Sequence, residues 1–105
     1  MSNTTEQVFN LKVGELFLIK EVTGAAGWAT SINDIYLAGK VISEVFPELS
    51  PVKNKDELNL PAPEFKLTTK QLEVVKKAIK YSVEKGQLFP GPYVVTVLEV
   101  FKLVD

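Results

Sequence analysis

The sequence predicts a small, mostly α-helical domain of three to four amphipathic helices that ends in a C-terminal helical hairpin. Its 105 residues have the length of one domain, so residues 1–105 are treated as a single unit. Hydrophobic residues make up 46% of the chain, which is enough for a core, and charged residues make up 24%. Several stretches place apolar residues at helical spacing between capping and helix-stopping residues.

The first part of the chain predicts a flexible arm followed by a helix. Residues 1–8 are mostly polar, so little apolar burial offsets the entropy cost of ordering them. Residues 13–22 place apolar side chains at helical spacing and predict the first helix, although the apolar run at 16–19 also fits a buried strand. Apolar and polar residues alternate within 8–13, and a short strand there is the alternative.

A second helix is predicted between Ser31 and Pro47. Ser31 is a preferred N-cap residue, and Asp34 places a negative charge in the first turn. The helix ends near Pro47 because the residue before a proline avoids helical geometry. The apolar stripe of this helix consists of Ile32, Ile35, Tyr36, Gly39, Ile42, Val45 and Phe46. Residues 47–65 hold four of the six prolines and form a long connector.

The helix predicted over 69–85 has the clearest boundaries. Thr68 and Gln71 have the spacing of a capping box, in which each side chain bonds to the backbone of the other residue. Gly86 is a typical residue at the C-terminal end of a helix. These signals make 69–85 the first helix of the predicted hairpin.

The second helix of the hairpin is predicted over 92–103. Its apolar residues recur at helical spacing. The segment 93–101 is also rich in β-branched residues, which favour strands. An α+β domain with short strands at 8–13 and 93–101 is therefore the alternative fold.

The residue types exclude several classes of active site. The chain contains no Cys and no His, so it offers no thiolate, no imidazole base and no zinc site of the usual kind. It also lacks Arg, because all 12 basic residues are Lys. We expect no catalytic residues, no metal ion and no cofactor. The net charge of −1 makes nucleic acid an improbable partner.

The N-terminal segment and the hydropathy pattern predict a cytoplasmic protein. The first seven residues are polar and lack the basic and then apolar pattern of a secretory signal. No apolar run approaches the ~18–20 residues that cross a bilayer, so no membrane partner is expected.

The segment Val22–Thr30, VTGAAGWAT, is the strongest motif candidate. It resembles the start of the short-chain dehydrogenase motif, Thr-Gly-x-x-x-Gly-x-Gly, in which the glycines admit a dinucleotide. Here the second glycine comes one residue early, and Trp28 and Thr30 replace the later glycines. Tyr36 and Lys40 have the Tyr-x-x-x-Lys spacing of that family but follow too soon. We expect no nucleotide here and interpret the segment as a turn, with Trp28 packed on the core or presented to a partner.

Aromatic residues near turns are the candidate partner-binding residues. Trp28, Phe89 and Tyr93 lie at the ends of predicted elements. Such residues often anchor protein interfaces.

A lysine-rich helix face is the second candidate site. Lys70, Lys76, Lys77 and Lys80 all lie on the helix predicted over 69–85 and are candidates for contact with nucleic acid or an acidic partner. The alternative is a solvated face with helical ion pairs, such as Glu73 with Lys77.

The sequence favours a non-enzymatic protein-interaction or assembly module that acts through apolar helix faces and forms a homo-oligomer. This expectation rests on the apolar stripes and on the missing catalytic residue types. One alternative is a nucleic-acid-binding or regulatory protein that uses the lysine face of 69–85. Another is a small enzyme or ligand-binding protein built on the Gly-containing loop. The arrangement also resembles, in architecture only, the small accessory or assembly proteins of tailed phages, which are often short, helical and free of Cys.

Overall fold

The computed structural model describes residues 6–49, 51–86 and 92–103 and confirms a small, mostly α-helical fold. Within these residues four helices pack with a two-stranded antiparallel sheet. The elements are β1 (Glu6–Phe9), α1 (Val13–Gly24), α2 (Ile32–Lys40), β2 (Phe65–Thr68), α3 (Thr69–Glu84) and α4 (Pro92–Val100). None of the helices in the described ranges is both long and apolar enough to cross a bilayer.

Helix α1 lies at the centre of the packing. It contacts α3, α4 and a 3₁₀ turn at Lys55–Asn59. Its side chains Leu16 and Ile19 have no solvent exposure. The two C-terminal helices each pack more extensively on α1 than on each other. The two helices of the predicted hairpin are therefore held together mainly through α1.

Helix α4 confirms the helical prediction for the C-terminal segment. Val97 and Phe101 are four residues apart, and their exposed fractions are only 0% and 1%. Burial of this helical face outweighs the strand preference of the β-branched residues, which is weak and depends on context. The alternative strand at 93–101 is therefore wrong.

The short sheet changes the prediction for the N-terminal arm. Strand β1 pairs antiparallel with β2, with Glu6 opposite Thr68 and Phe9 opposite Phe65. The Phe9 ring is buried and stacks on Phe65 and on Phe101, at centroid distances of 5.5 and 5.0 Å. The expectation of a flexible arm is wrong for residues 6–8, since burial of Phe9 and the ladder hydrogen bonds order them.

Helix α2 begins where the sequence indicates, but the α-helix itself ends at Lys40, before the predicted end near Pro47. The Ser31 hydroxyl accepts a hydrogen bond from the Asp34 backbone N–H at 3.1 Å, as an N-cap does. The helical path continues as a π-helical turn over Val41–Val45. Phe46 closes this turn, because its N–H donates to the Val41 carbonyl at 2.9 Å.

The proline-rich connector at 47–65 is anchored beside the start of α1. The Val13 N–H donates to the Leu60 carbonyl at 2.9 Å, and the Ala62 N–H donates to the Leu11 carbonyl at 2.8 Å. These two bonds satisfy backbone groups that a solvent-exposed loop would leave to water.

Helix α3 has the predicted capping box. The Thr68 hydroxyl accepts from the Gln71 N–H at 3.2 Å, and the Gln71 side-chain oxygen accepts from the Thr68 N–H at 2.9 Å. Gly86 follows the helix with a φ of 67°, the left-handed conformation that glycine adopts without strain.

Candidate functional site

Helix α2 carries a stripe of exposed apolar residues on its outer face. Ile32 is 86% exposed, Ile35 is 55% exposed and Tyr36 is 58% exposed. Spacings of three and four residues place them on one helix face together with Gly39. Gly39 is exposed, and a Cβ atom built on it would have no neighbour within 4 Å. We call Ile32, Ile35, Tyr36 and Gly39 the α2 stripe.

The sequence identified these residues as one helix face but not the surroundings of that face. Helix α2 packs on α3 and buries Ala38, with Leu37 half-buried beside it. The bulkier apolar residues of the stripe lie away from this contact. Three large apolar side chains of α2 therefore remain exposed.

A small groove adjoins the α2 stripe. Its volume is about 180 Å³, and it lies between α2 and the segment that follows α1. The Thr23 side chain is 2% exposed, and its hydroxyl has no hydrogen-bond partner among the described residues. The lining residues are Thr23, Gly24, Ala25, Trp28, Ala29, Ile35, Ala38, Gly39 and Ile42.

The structure places the predicted partner-binding residues in different surroundings. Trp28 is 3% exposed and donates its indole N–H to the Thr23 carbonyl at 3.2 Å, so it packs on the core, the first of its two alternatives. Tyr93 is half-buried and donates its hydroxyl hydrogen to Asn59 Oδ1 at 2.8 Å. Phe89 lies outside the described residues. A partner contact by any of the three stays a prediction.

The Gly-containing segment forms a turn between helices. Its first residues end α1, it contains a 3₁₀ turn at Ala26–Trp28, and α2 follows from Ile32. A dinucleotide-binding loop instead connects a strand to a helix. Within the described ranges, no group of three or more acidic, His or Cys residues has the arrangement of a metal site.

The structure brings the four predicted lysines together. Lys70, Lys76, Lys77 and Lys80 line one cleft of about 510 Å³ between α2 and α3. The other lining residues are Asn33, Asp34, Leu37, Glu73, Val74 and Leu103. We call this feature the lysine cleft.

One lysine of the cleft is engaged by α2. Lys77 Nζ lies 2.8 Å from Asp34 Oδ2 and 2.9 Å from the Thr30 hydroxyl oxygen. The hydrogen bond from Lys77, followed by those from the Thr30 N–H and hydroxyl, lowers the pKa of Asp34 from its ordinary value of 3.8 to about 2. Lys77 thus pairs with Asp34 across the helix contact rather than with Glu73 on its own helix. Sequence spacing gave no signal for a pair 43 residues apart.

Neither a protein-family model, nor a curated protein, nor a solved structure matches this chain. The α2 stripe and the lysine cleft are the two candidate sites on the described surface.

Proposed function

We propose that this chain is a non-enzymatic assembly module that forms a homodimer through the α2 stripe. The exposure of Ile32, Ile35 and Tyr36 on one helix face carries this proposal. Contiguous exposed apolar patches often mark interaction sites, because association removes their surface from water. A second copy of the chain is the occupant that the spacing of the stripe favours.

The stripe is self-complementary in an antiparallel arrangement. A two-fold axis between residues 35 and 36 places Ile32 of each copy opposite Gly39 of the other, and Ile35 opposite Tyr36. The most exposed side chain of the stripe then meets its one residue without a side chain, which has open space around it. A dimer with this symmetry requires such reciprocal contacts, in which each residue pair occurs twice.

The groove beside Gly39 gives the facing Ile32 side chain a place to pack. It measures about 180 Å³ and is lined almost entirely by small and apolar residues. Engineered cavities of about 150 Å³ accept a benzene molecule, so a branched aliphatic side chain fits in this volume. Filling the groove also removes more apolar surface from water than contact between two flat helix faces.

The stripe has the composition of an interface centre. Stable interfaces bury about 800 Å² on each partner and concentrate their binding energy in a few central residues, Tyr prominent among them. Tyr36 and Ile35 lie at the middle of the proposed interface. The flanking polar residue Lys40 then forms part of the solvent-exposed rim.

Sedimentation equilibrium over a range of protein concentrations tests the proposal with two variants. Ile35→Ser removes a central contact, and we expect the dimer dissociation constant to rise about 30-fold, which corresponds to about 2 kcal/mol. Gly39→Leu fills the space that the facing Ile32 needs, and we expect it to weaken the dimer as well. The Cβ of this Leu meets no atom of the described chain within 4 Å, so it introduces no clash at that position.

Val95→Ser is the matched control, because Val95 is 54% exposed on α4, which packs on α1. We expect it to leave the dimer unchanged. A dimer that Ile35→Ser does not weaken would refute an interface at the α2 stripe. A Gly39→Leu variant that associates more tightly would refute the antiparallel register.

A further inference from the structure

The lysine cleft carries positive charge that its own residues do not neutralise. Lys77 is paired with Asp34, but Lys70, Lys76 and Lys80 form no ion pair within the described part of the chain. Among the described lining residues, Glu73 is the one acidic residue besides Asp34. The whole chain has a net charge of −1, whereas the lysine cleft has a local excess of positive charge.

A second cavity extends the cleft past the end of α4. It measures about 440 Å³ and shares Lys80 and Leu103 with the lysine cleft. Lys102 lines it with a φ of 57°, in the left-handed region. Glycine is the usual residue in this conformation at a helix end. The chain therefore has a positively charged residue, Lys102, at a position where glycine would adopt the backbone conformation with less strain.

The floor of the lysine cleft is apolar. Val74 is 4% exposed, and Leu37 and Leu103 are half-buried beside it. A phosphate backbone gains nothing from such a floor, and no aromatic side chain among the described lining residues offers a platform for base stacking. The ligand that matches both features combines negative charges with apolar side chains.

We propose that the lysine cleft binds an acidic amphipathic helix of a partner protein. Its apolar side chains pack on the floor, and its carboxylates face Lys70, Lys76 and Lys80. Lys70 and Lys80 are ten residues apart on α3, or about 15 Å, which matches about three turns of a partner helix. Docking of an amphipathic helix into a groove is an established mode of peptide recognition. None of the α2 stripe residues lines the cleft, so the two proposals can be tested independently.

Fluorescence anisotropy with labelled synthetic peptides tests this proposal. The probe is a peptide of about 14 residues with Leu at helical spacing on one face and Glu on the flanks. One comparison peptide has Gln in place of every Glu, and another has Ala in place of every Leu. We expect the Glu/Leu peptide to bind at least tenfold more tightly than either, and its affinity to fall as salt screens the charges.

Two triple variants of the full chain locate the binding site. The variant K70Q/K76Q/K80Q removes the three unpaired lysines, and we expect at least a tenfold loss of affinity for the Glu/Leu peptide. The control K53Q/K55Q/K66Q makes the same charge change at exposed lysines outside both cavities, and we expect less than a twofold loss.

Several results would overturn the proposal. Equal losses in the two triple variants would show that only net charge matters. Equal binding of the Ala-substituted peptide would remove the role of the apolar floor. A DNA duplex that binds more tightly than the Glu/Leu peptide would assign the cleft to nucleic acid, and no binding of the Glu/Leu peptide would refute the site. None of these outcomes affects dimerisation, which the α2 variants test separately.

Discussion

Replacement of Gly14 by Ala tests the packing of α1 on α4, the contact that defines the centre of the fold. In an exposed helix this change is stabilising by about 1 kcal/mol, because Ala loses less conformational freedom than Gly. Here the added Cβ would lie 2.9 Å from the Cε1 and Cζ atoms of the Tyr93 ring and 3.0 Å from Cδ1. These distances are too short for carbon atoms, so the ring has to move.

Moving the Tyr93 ring lowers the free energy of unfolding by more than the higher helix propensity of Ala raises it. Its hydroxyl donates to Asn59 Oδ1 at 2.8 Å, and loss of this bond costs about 1 kcal/mol. Overpacking costs a further ~1 kcal/mol at its lower limit. We therefore expect Gly14→Ala to lower the free energy of unfolding by about 1 kcal/mol net, or the Tm by about 5 °C for a domain of this size.

Urea unfolding followed by circular dichroism measures this change in the free energy of unfolding. The same substitution in a Tyr93→Ala chain shows whether Tyr93 causes it. In a Tyr93→Ala chain the obstacle is absent, so Gly14→Ala should stabilise by about 1 kcal/mol, which makes the coupling between the two sites about 2 kcal/mol. Gly39→Ala in the Ile35→Ser background, which removes the proposed dimer contact, is the control for helix propensity. The added Cβ has open space there, so this change should stabilise the fold. A Gly14→Ala chain that is more stable than the parent would refute the close approach of α1 and α4.

Three further substitutions test other details of the structure. Lys102→Gly relieves the left-handed backbone and should raise the free energy of unfolding in urea by about 1 kcal/mol, whereas a loss would show that Lys102 makes a stabilising contact. Thr23→Val removes a buried hydroxyl that has no hydrogen-bond partner among the described residues. It should raise the free energy of unfolding by about 1 kcal/mol and with it the Tm, whereas a lower Tm would reveal a hydrogen bond of this hydroxyl. The pKa of Asp34 is about 2 in the folded chain against an ordinary value of 3.8, so the unfolded chain binds the proton first as pH falls. The Asp34 contribution is therefore complete above about pH 4 and is lost as pH falls towards 2, and Asp34→Asn should remove this part of the acid dependence of the Tm.

Local sequence signals predicted the helices well. The Thr68–Gln71 capping box and Gly86 fixed the ends of α3, because these bonds form within one helical turn. The spacing of Ser31 and Asp34 located the start of α2 for the same reason. The four lysines on α3 were also identified from the sequence, since they share one helix.

Long-range contacts explain what the sequence did not reveal. Strand β1 depends on β2, nearly sixty residues later, and nothing in the four residues Glu6–Phe9 indicates that partner. The ion pair of Lys77 with Asp34 likewise joins two helices, whereas periodicity suggested a partner one turn away. Trp28 and the α2 stripe show the same difficulty, because helical spacing identifies a face but not what covers it.

The native mass of the unmodified chain in high salt is the most direct test of the proposed assembly. Light scattering on a size-exclusion column, at low salt and at about 1 M NaCl, gives this mass without a label. Because the α2 stripe is apolar, we expect a mass twice that of the 11.6 kDa chain, and the same mass at both salt concentrations. A chain that elutes with the mass of one copy at every concentration and salt would contradict a dimer built on α2.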